Sequence, residues 1–358
     1  MIAPPERIIF FDIETTGFRA GRSQLYLIGT VSYEDGAWYL RQLFAEGPMD
    51  EMALINGFDE FLKEKKKGND RIILISYNGD GFDIPYLREV ERQYGLFDIF
   101  RNAISLDMFK VVKPFKKLMG TSDLKLKSIE KFCGIDREDR YSGGELIYVY
   151  EEYLRMGHIV KGGCEDNELN AALRDKLLTC LLLHNAEDIA NMPLIMGIYG
   201  YKALMDGDFD FESAEVMGNV LNLRFRLRCP LPREIYIENE DIVISASGED
   251  KTLLEAAVTL RSAELRFYYQ DYKNYYYLPL EDYAIHKSLG EFVAKNQRKQ
   301  ATRQTCYTKK EGVFFKEAEP VFQPVFYETF KGSKYAELND EVLENHEGLK
   351  QLILTFLV

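Results

Sequence analysis

Asp12 and Glu14 stand two residues apart in Phe11-Asp12-Ile13-Glu14-Thr15-Thr16-Gly17, directly after the apolar residues 8–11. That apolar run predicts a buried strand. Residues i and i+2 of a strand face the same side, so both carboxylates point together from its end. Two like charges side by side in an interior are costly unless a cation sits between them. All-oxygen donors suit Mg²⁺ or Mn²⁺. Taken alone, the pair is equally compatible with a strand end that exposes two solvated acids.

Two further segments carry acids. Ser76-Tyr77-Asn78-Gly79-Asp80-Gly81-Phe82-Asp83-Ile84-Pro85 leaves an apolar run through a glycine-rich turn and leads into a helical pattern. Asp83 falls where an N-cap falls, and Pro85 suits a first helical turn. A plain cap and plain turn chemistry for Asn78 are the competing readings. His184-Asn185-Ala186-Glu187-Asp188 lies in a leucine-rich helical pattern. His184 and Asp188 are four apart and share a face; an ordinary polar pair is the bland alternative. Asp12, Glu14, Asp83 and Asp188 together come from three separated elements. Such a set can hold two divalent ions about 3.5–4 Å apart, the arrangement that serves phosphodiester hydrolysis. Four carboxylates roughly balance the charge of two such ions.

The elements that position these residues follow from periodicity. Strands are predicted over residues 7–11, 25–32 and 38–44, with Asp35-Gly36 as a turn, and these form an antiparallel meander. A helix over 52–66, a strand over 71–76, a helix over 84–94 and a short strand over 103–108 follow. Helices are predicted near 125–133, 145–155 and 171–200, the last divided at Pro193. The expected fold is α/β: a mixed sheet flanked by helices. The acidic stretch Met205-Asp206-Gly207-Asp208 marks the expected boundary between a domain over residues 1–205 and a strand-rich α+β accessory domain over 206–358. In the latter, strands are predicted over 220–227, 234–237, 242–246, 258–261, 264–269 and 275–278, and a helix over 281–295.

Composition narrows the class. The formal net charge of −13 argues against a general nucleic-acid coat protein, which needs a positive field. It leaves room for an enzyme that carries acids for metals. Five cysteines (Cys133, Cys164, Cys180, Cys229, Cys306) are scattered and never spaced as a CxxC pair, so reduced thiols are expected and a zinc site is not. No run has the length of a membrane span, and the opening Met1-Ile2-Ala3-Pro4-Pro5-Glu6 has no secretory pattern. A cytoplasmic protein is the expectation.

The three acidic segments resemble the motifs of the DEDD superfamily of 3′–5′ exonucleases, built on the ribonuclease H-like fold. The first motif, a strand with D-x-E, is matched by Asp12 and Glu14. The second, N-x3-F-D, is matched by Asn78, Phe82 and Asp83 and is most similar to the proofreading exonuclease of family-B DNA polymerases. The third ends in Asp188. Residues 126–135 also resemble the region before that motif, and the whole of residues 5–200 is similar to the stand-alone bacterial YprB-type ribonuclease H-like proteins. The resemblance implies that Asp12, Glu14, Asp83 and Asp188 hold two Mg²⁺ or Mn²⁺ ions. It implies catalytic roles for Glu14 and for His184, which positions or deprotonates the attacking water. Thr15, Asn78 and Phe82 then contact substrate. In the family a tyrosine stands four residues before the last aspartate or a histidine five before it. Here a histidine stands four before. Asp107 and Glu187 are further acids nearby in sequence and are given no role.

The accessory domain carries one basic stretch, with Lys287, Lys295, Arg298, Lys299, Arg303, Lys309 and Lys310, after the tyrosine-rich segment 268–277. Aromatics beside cations stack bases and neutralise phosphates. Lys299 and Arg303 are accordingly expected to guide single-stranded DNA or RNA; a tyrosine-rich hairpin followed by a solvated helix end is the alternative. The expected function is metal-dependent 3′–5′ exonucleolytic hydrolysis of single-stranded nucleic acid. A non-catalytic nucleic-acid-binding protein and an endonuclease of the same fold are the alternatives.

Overall fold

The computed structural model describes residues 3–67, 71–162, 167–246 and 252–357, so Cys164 lies outside the described residues. Two compact units, Met1–Ile198 and Tyr199–Val358, make up the chain.

In the first unit the N-terminal apolar run forms β1 (Ile8–Thr15). The hairpin strands β2 (Leu25–Glu34) and β3 (Ala37–Phe44) extend from it antiparallel. On its other side β4 (Ile72–Ser76) and β5 (Ala103–Asp107) run parallel. The sheet order β3-β2-β1-β4-β5 makes β1 the central strand. The turn between β2 and β3 uses Asp35 and Gly36, both at positive φ, as the Asp-Gly pair predicts.

Helices cover both faces. α1 (Glu51–Lys66) buries Leu54, Ile55, Phe58 and Leu62, a helical stripe that meets the face of β1 carrying Phe11, whose ring lies 6.2 Å from Phe58. α2 (Asp83–Gln93) joins β4 to β5. The short α3 (Met108–Val112) and α4 (Lys116–Met119) lead to α5 (Leu126–Phe132). α6 (Gly143–Lys161) starts with a Ser142/Glu145 capping box and packs on α7 (Asn167–Ala190). Tyr150 of α6 stacks on Tyr26 of β2 at 4.2 Å. The predicted break falls at Asn191, and Pro193 sits in the first turn of α8 (Met192–Ile195), where its missing N–H costs nothing. This is a mixed sheet flanked by helices.

The second unit begins with α9 (Tyr199–Met205) and is rich in strands. An eight-stranded sheet contains β6 (Phe209–Met217), β7 (Val220–Leu227), β8 (Ile235–Glu238), β9 (Ile242–Ala246) and β10 (Leu253–Tyr268). A three-stranded sheet holds β11 (Tyr275–Leu278), β12 (Tyr283–His286) and β13 (Lys299–Gln300). β14 (Tyr307–Glu317), β15 (Phe326–Tyr327) and β16 (Lys334–Glu337) complete the larger sheet. β10 is one continuous strand where two were predicted. The predicted helix over 281–295 is not formed. Asp282 takes φ +56, which closes a turn, and residues 283–286 pair with β11. Only the single turn α10 (Lys287–Gly290) remains helical. α11 (Asp340–Glu344) and α12 (His346–Leu357) end the unit. Among the described residues no helix is long and apolar enough to cross a membrane.

Candidate active site

β1 projects Asp12 and Glu14 from the face opposite Phe11 and Ile13, as strand alternation requires. Glu14 is 8% exposed. The β1–β2 register shifts between Glu14 and Thr15, a local irregularity of the kind that re-aims side chains beside functional sites. Gly29 of β2 lies directly across from Asp12. A Cβ at Gly29 would stand 2.0 Å from Asn185 Oδ1 and 2.6 Å from Ile189 Cδ1. The glycine therefore lets α7 approach the sheet closely. At that contact Asn185 Nδ2 donates to Asp12 Oδ2 at 3.0 Å, and Gln42 Nε2 donates to Asn185 Oδ1 at 3.1 Å, which fixes the orientation of the Asn185 amide.

Asp83 enters from the turn after β4. It is the first residue of α2, with Phe82 at the N-cap and no capping hydrogen bond from the side chain; the predicted N-cap role is thus corrected by one residue. Instead Asp83 Oδ1 accepts the backbone N–H of Ile13 at 3.1 Å, tying the second acidic segment to the first. Burial, opposed by hydrogen bonds from backbone N–H groups and reinforced by the charges of Asp107 and Asp188, raises the Asp83 carboxyl to about 7. Burial and the charges of neighbouring acids, Asp83 and Asp188 among them, push the carboxyls of Asp12 and Glu14 well above their usual range.

α7 brings in the rest. Ligand atoms of Glu14, His184 and Asp188 all lie within 4.8 Å of one another. His184, 5% exposed, has Nε2 3.7 Å from both Glu14 Oε1 and Asp188 Oδ2. Its Nδ1 is 2.6 Å from Asp139 Oδ2. Asp139 is also held by Lys127 Nζ at 2.7 Å and by the backbone N–H of Tyr141 at 3.0 Å. Burial works to raise the Asp139 carboxyl, but Lys127, Tyr141 and His184 together bring it below its usual range. The four-residue spacing therefore directs the imidazole edge at Glu14 and Asp188.

Arg137 is a component that motif spacing does not reveal. It is buried, and Nη2 pairs with Asp188 Oδ1. Nε lies 3.4 Å from Glu130 Oε2 and from Glu187 Oε2. Burial opposes the Arg137 charge, yet Asp188, Glu130 and Glu187 outweigh it and raise its pKa. Glu130, fully buried, is pushed up to about 7 by desolvation despite Arg137 and Asn191. Glu187 further accepts the backbone N–H groups of Glu138 and Asp139 at 2.9 and 3.0 Å. It clamps the α5–α6 connection. Asp107 is structural in the same sense. It accepts N–H groups from Asn78, Phe109 and Asp80 at 2.8, 2.9 and 3.3 Å.

The predicted substrate residues divide. Phe82 is half-buried, its ring 6.1 Å from Phe18, and Phe18 is 89% exposed. Asn78 is exposed at φ +64, where asparagine is tolerated; its backbone N–H donates to Asp107 and its carbonyl accepts from the N–H groups of Gly81 and Phe82, as turn chemistry requires. The Thr15 hydroxyl donates to Gly17 O at 2.7 Å. Lys299 and Arg303 belong to the second unit. A separate cavity of about 500 Å³ beside Pro85, Arg88 and Phe100 contains none of the clustered acids.

The donor set fits a divalent metal. The buried carboxyls of Asp12, Glu14 and Asp83 are raised by burial and by neighbouring acids, and Glu14 and Asp188 present oxygens beside the His184 ring, hard donors of the kind a divalent cation takes. Asp188 offers Oδ2 while Arg137 takes Oδ1. A sequence model of the RNase H superfamily, RNase_H_2, matches residues 9–199. The match spans more than half of the chain, and the chain belongs to that superfamily. No curated protein matches it. Membership in the superfamily supports a nuclease-type activity, a divalent-metal requirement and nucleic acid as ligand.

Proposed function

We propose that this chain is a metal-dependent 3′–5′ exonuclease acting on single-stranded nucleic acid. The observation that carries the reading is that Glu14 and Asp188 meet at the edge of a histidine held by Asp139, while Asp83 is tied to the same strand through the Ile13 N–H. In this reading the four acids hold two Mg²⁺ or Mn²⁺ ions. When bound, such ions lower the pKa of water and stabilise the charge that develops on the leaving oxygen.

The chain supplies the rest. Asn185 and Gln42 fix Asp12, and the Ile13 N–H fixes Asp83. Arg137 fixes Asp188. His184 takes the proton of the attacking water at Nε2, with Asp139 steadying Nδ1. Water oxygen bonds to phosphorus, the phosphorus–O3′ bond breaks, O3′ takes a proton from solvent to become the new 3′-hydroxyl, and a nucleoside 5′-monophosphate is released. Exposed Phe18 and its neighbour Phe82 offer the terminal base a stacking surface.

The Arg137–Asp188 pair favours a second reading, a nucleic-acid-binding protein whose arginine stands where a metal charge would act. One experiment separates them. Single-stranded DNA and RNA carrying a 5′ label are incubated with Mg²⁺, Mn²⁺ or chelator, using wild type and Asp12→Ala/Glu14→Ala. A metal-dependent ladder shortening from the 3′ end, absent in the variant, is expected. Intact strands under every metal, with a retained gel shift, would establish the binder. Cleavage of circular single strands would establish an endonuclease instead.

A further inference from the structure

The second unit holds a cavity of about 450 Å³ lined by Tyr268, Tyr272, Tyr327, Phe330, Arg303 and Lys331. Cavities of this size accommodate a group such as a nucleotide. Tyr268 is the hub, its ring edge-on to Tyr327 at 5.8 Å and to Phe330 at 5.4 Å. Tyr307 meets the same ring at 5.3 Å, and none of the three contacts is a face-to-face stack. Tyr269 and Tyr275 each cover one ring face of the other. They stack face to face at 4.6 Å and pack on a small core of Ala284, Ala301 and Cys306. Tyr269 also borders the cavity, and Tyr272 packs on the same small core, so the tyrosine-rich segment joins core and cavity wall.

The cations divide the same way. Lys309 is paired with Asp282 at 2.7 Å and Lys310 with Glu337 at 2.6 Å. Arg298 donates to the Gly290 carbonyl. Arg303 and Lys331 are exposed and have no ion pair among the described residues. Each instead lies over an aromatic ring of the cavity, Arg303 over Tyr272 and Lys331 over Phe330, both at 5.8 Å. Lys331 adopts φ +63, a left-handed conformation that costs a residue with a side chain. In a chain of net charge −13, these two cations border one cavity together with its aromatic rings.

We propose that this cavity is a second binding site, for a segment of single-stranded nucleic acid. A base stacks on the ring of Tyr268 or Tyr272, and an adjoining phosphate meets Arg303 and Lys331. Aromatic faces with nearby cations are the chemistry that holds single strands without reading their sequence. The inference rests on the proposed function only in taking nucleic acid as the ligand. It uses none of the clustered acids. Lys299 does not line the cavity, so of the two predicted guiding residues only Arg303 belongs to this site.

The test is fluorescence anisotropy of the full chain with labelled oligo-dT and oligo-rU, each about twelve nucleotides long, in chelator so that no hydrolysis occurs. Arg303→Ala/Lys331→Ala is expected to weaken binding by about tenfold or more, with the logarithmic salt slope shallower by about 1.4, two phosphate contacts at about 0.7 each. Tyr272→Leu keeps bulk against the core and removes the π-face; it is expected to weaken binding severalfold at unchanged slope. Unchanged affinity in Arg303→Ala/Lys331→Ala overturns the site, whatever the cleavage assay gives. Equal sensitivity of duplex and single-strand binding to that variant overturns its assignment to single strands. Loss of cleavage alone, with this binding intact, counts against the nuclease and leaves the cavity standing.

Discussion

Nδ1 of His184 lies 2.6 Å from Oδ2 of Asp139, which reaches it from the connection between α5 and α6. This contact leaves Nε2 as the ring nitrogen that faces Glu14 and Asp188. A base oriented by a third group is the arrangement that activates nucleophiles in many enzymes. Asp139→Asn is therefore expected to lower kcat by about 10–100-fold with little change in KM, the usual scale for losing an orienting partner. Because it acts through the imidazole, Asp139→Asn/His184→Gln should be no slower than His184→Gln alone. Additive losses in the kinetic cycle would show that Asp139 acts independently of the histidine.

The raised carboxyls give the metal-free protein a defined pH response. Asp83, held near pH 7, and Asp12 and Glu14, also raised, retain protons in the folded state that the unfolded chain has released. Their contribution to stability is complete below the unfolded carboxyl range, about pH 4. It is lost as pH rises through the folded values. In chelator, the thermal midpoint is expected to fall between about pH 5 and about pH 8. Metal binds the deprotonated acids, so Mn²⁺ should raise the midpoint more at the alkaline end. Asp83→Asn should flatten the chelator profile. A Mn²⁺ shift equal at both ends of the range would contradict this account.

Arg137 compensates three acids at once, one of them the fully buried Glu130. Removing one partner of a buried ion cluster costs about 3–5 kcal/mol, because the remaining charge is left without compensation. Arg137→Met is expected to lose stability on that scale in urea unfolding at neutral pH. Arg137→Lys should recover only part, since an ammonium cannot reach several carboxylates with a planar fork. Glu130→Gln in the Arg137→Met background should regain stability by removing the stranded charge. No regain would mean that the cluster does not depend on charge balance.

The acids of the first unit were legible in sequence because each sits on a strongly patterned element. Asp12 and Glu14 follow an apolar strand, Asp83 follows a strand and turn, and Asp188 shares a helical face with His184. Their supports were not legible. Asp139 and Arg137 occupy an irregular connection, where no period ties a residue to a face, and their partners His184 and Asp188 on α7 are 45 and 51 residues away. The Gly134-Ile135-Asp136-Arg137-Glu138-Asp139 stretch offered one signal, a dense charge cluster just after a helix-ending glycine at positive φ. The helix predicted over 281–295 failed for a different reason. Its apolar spacing also fits a strand of the smaller sheet, and pairing with β11 decided the outcome.

Gly29 couples the fold to the site most directly. Its neighbour across the ladder is Asp12, and its missing Cβ makes room for Asn185 and Ile189 of α7. Gly29→Ala must move Asn185 Oδ1 from the 2.0 Å that the new Cβ would impose, and overpacking of this kind costs about 1–3 kcal/mol. The displaced amide is the one that bonds Asp12, so the damage should exceed what stability alone predicts. Gly29→Ala is expected to remain folded at low temperature and to show a lower thermal midpoint. Its Mn²⁺-induced rise in that midpoint should be markedly reduced, as should its cleavage rate. Gly29→Ala/Asn185→Ala relieves the contact with Asn185 and leaves only the end of the Ile189 side chain to yield, so it should recover part of the thermal stability without recovering the metal response, because Asp12 still lacks its donor. Full recovery of both would show that Asn185 only fills space.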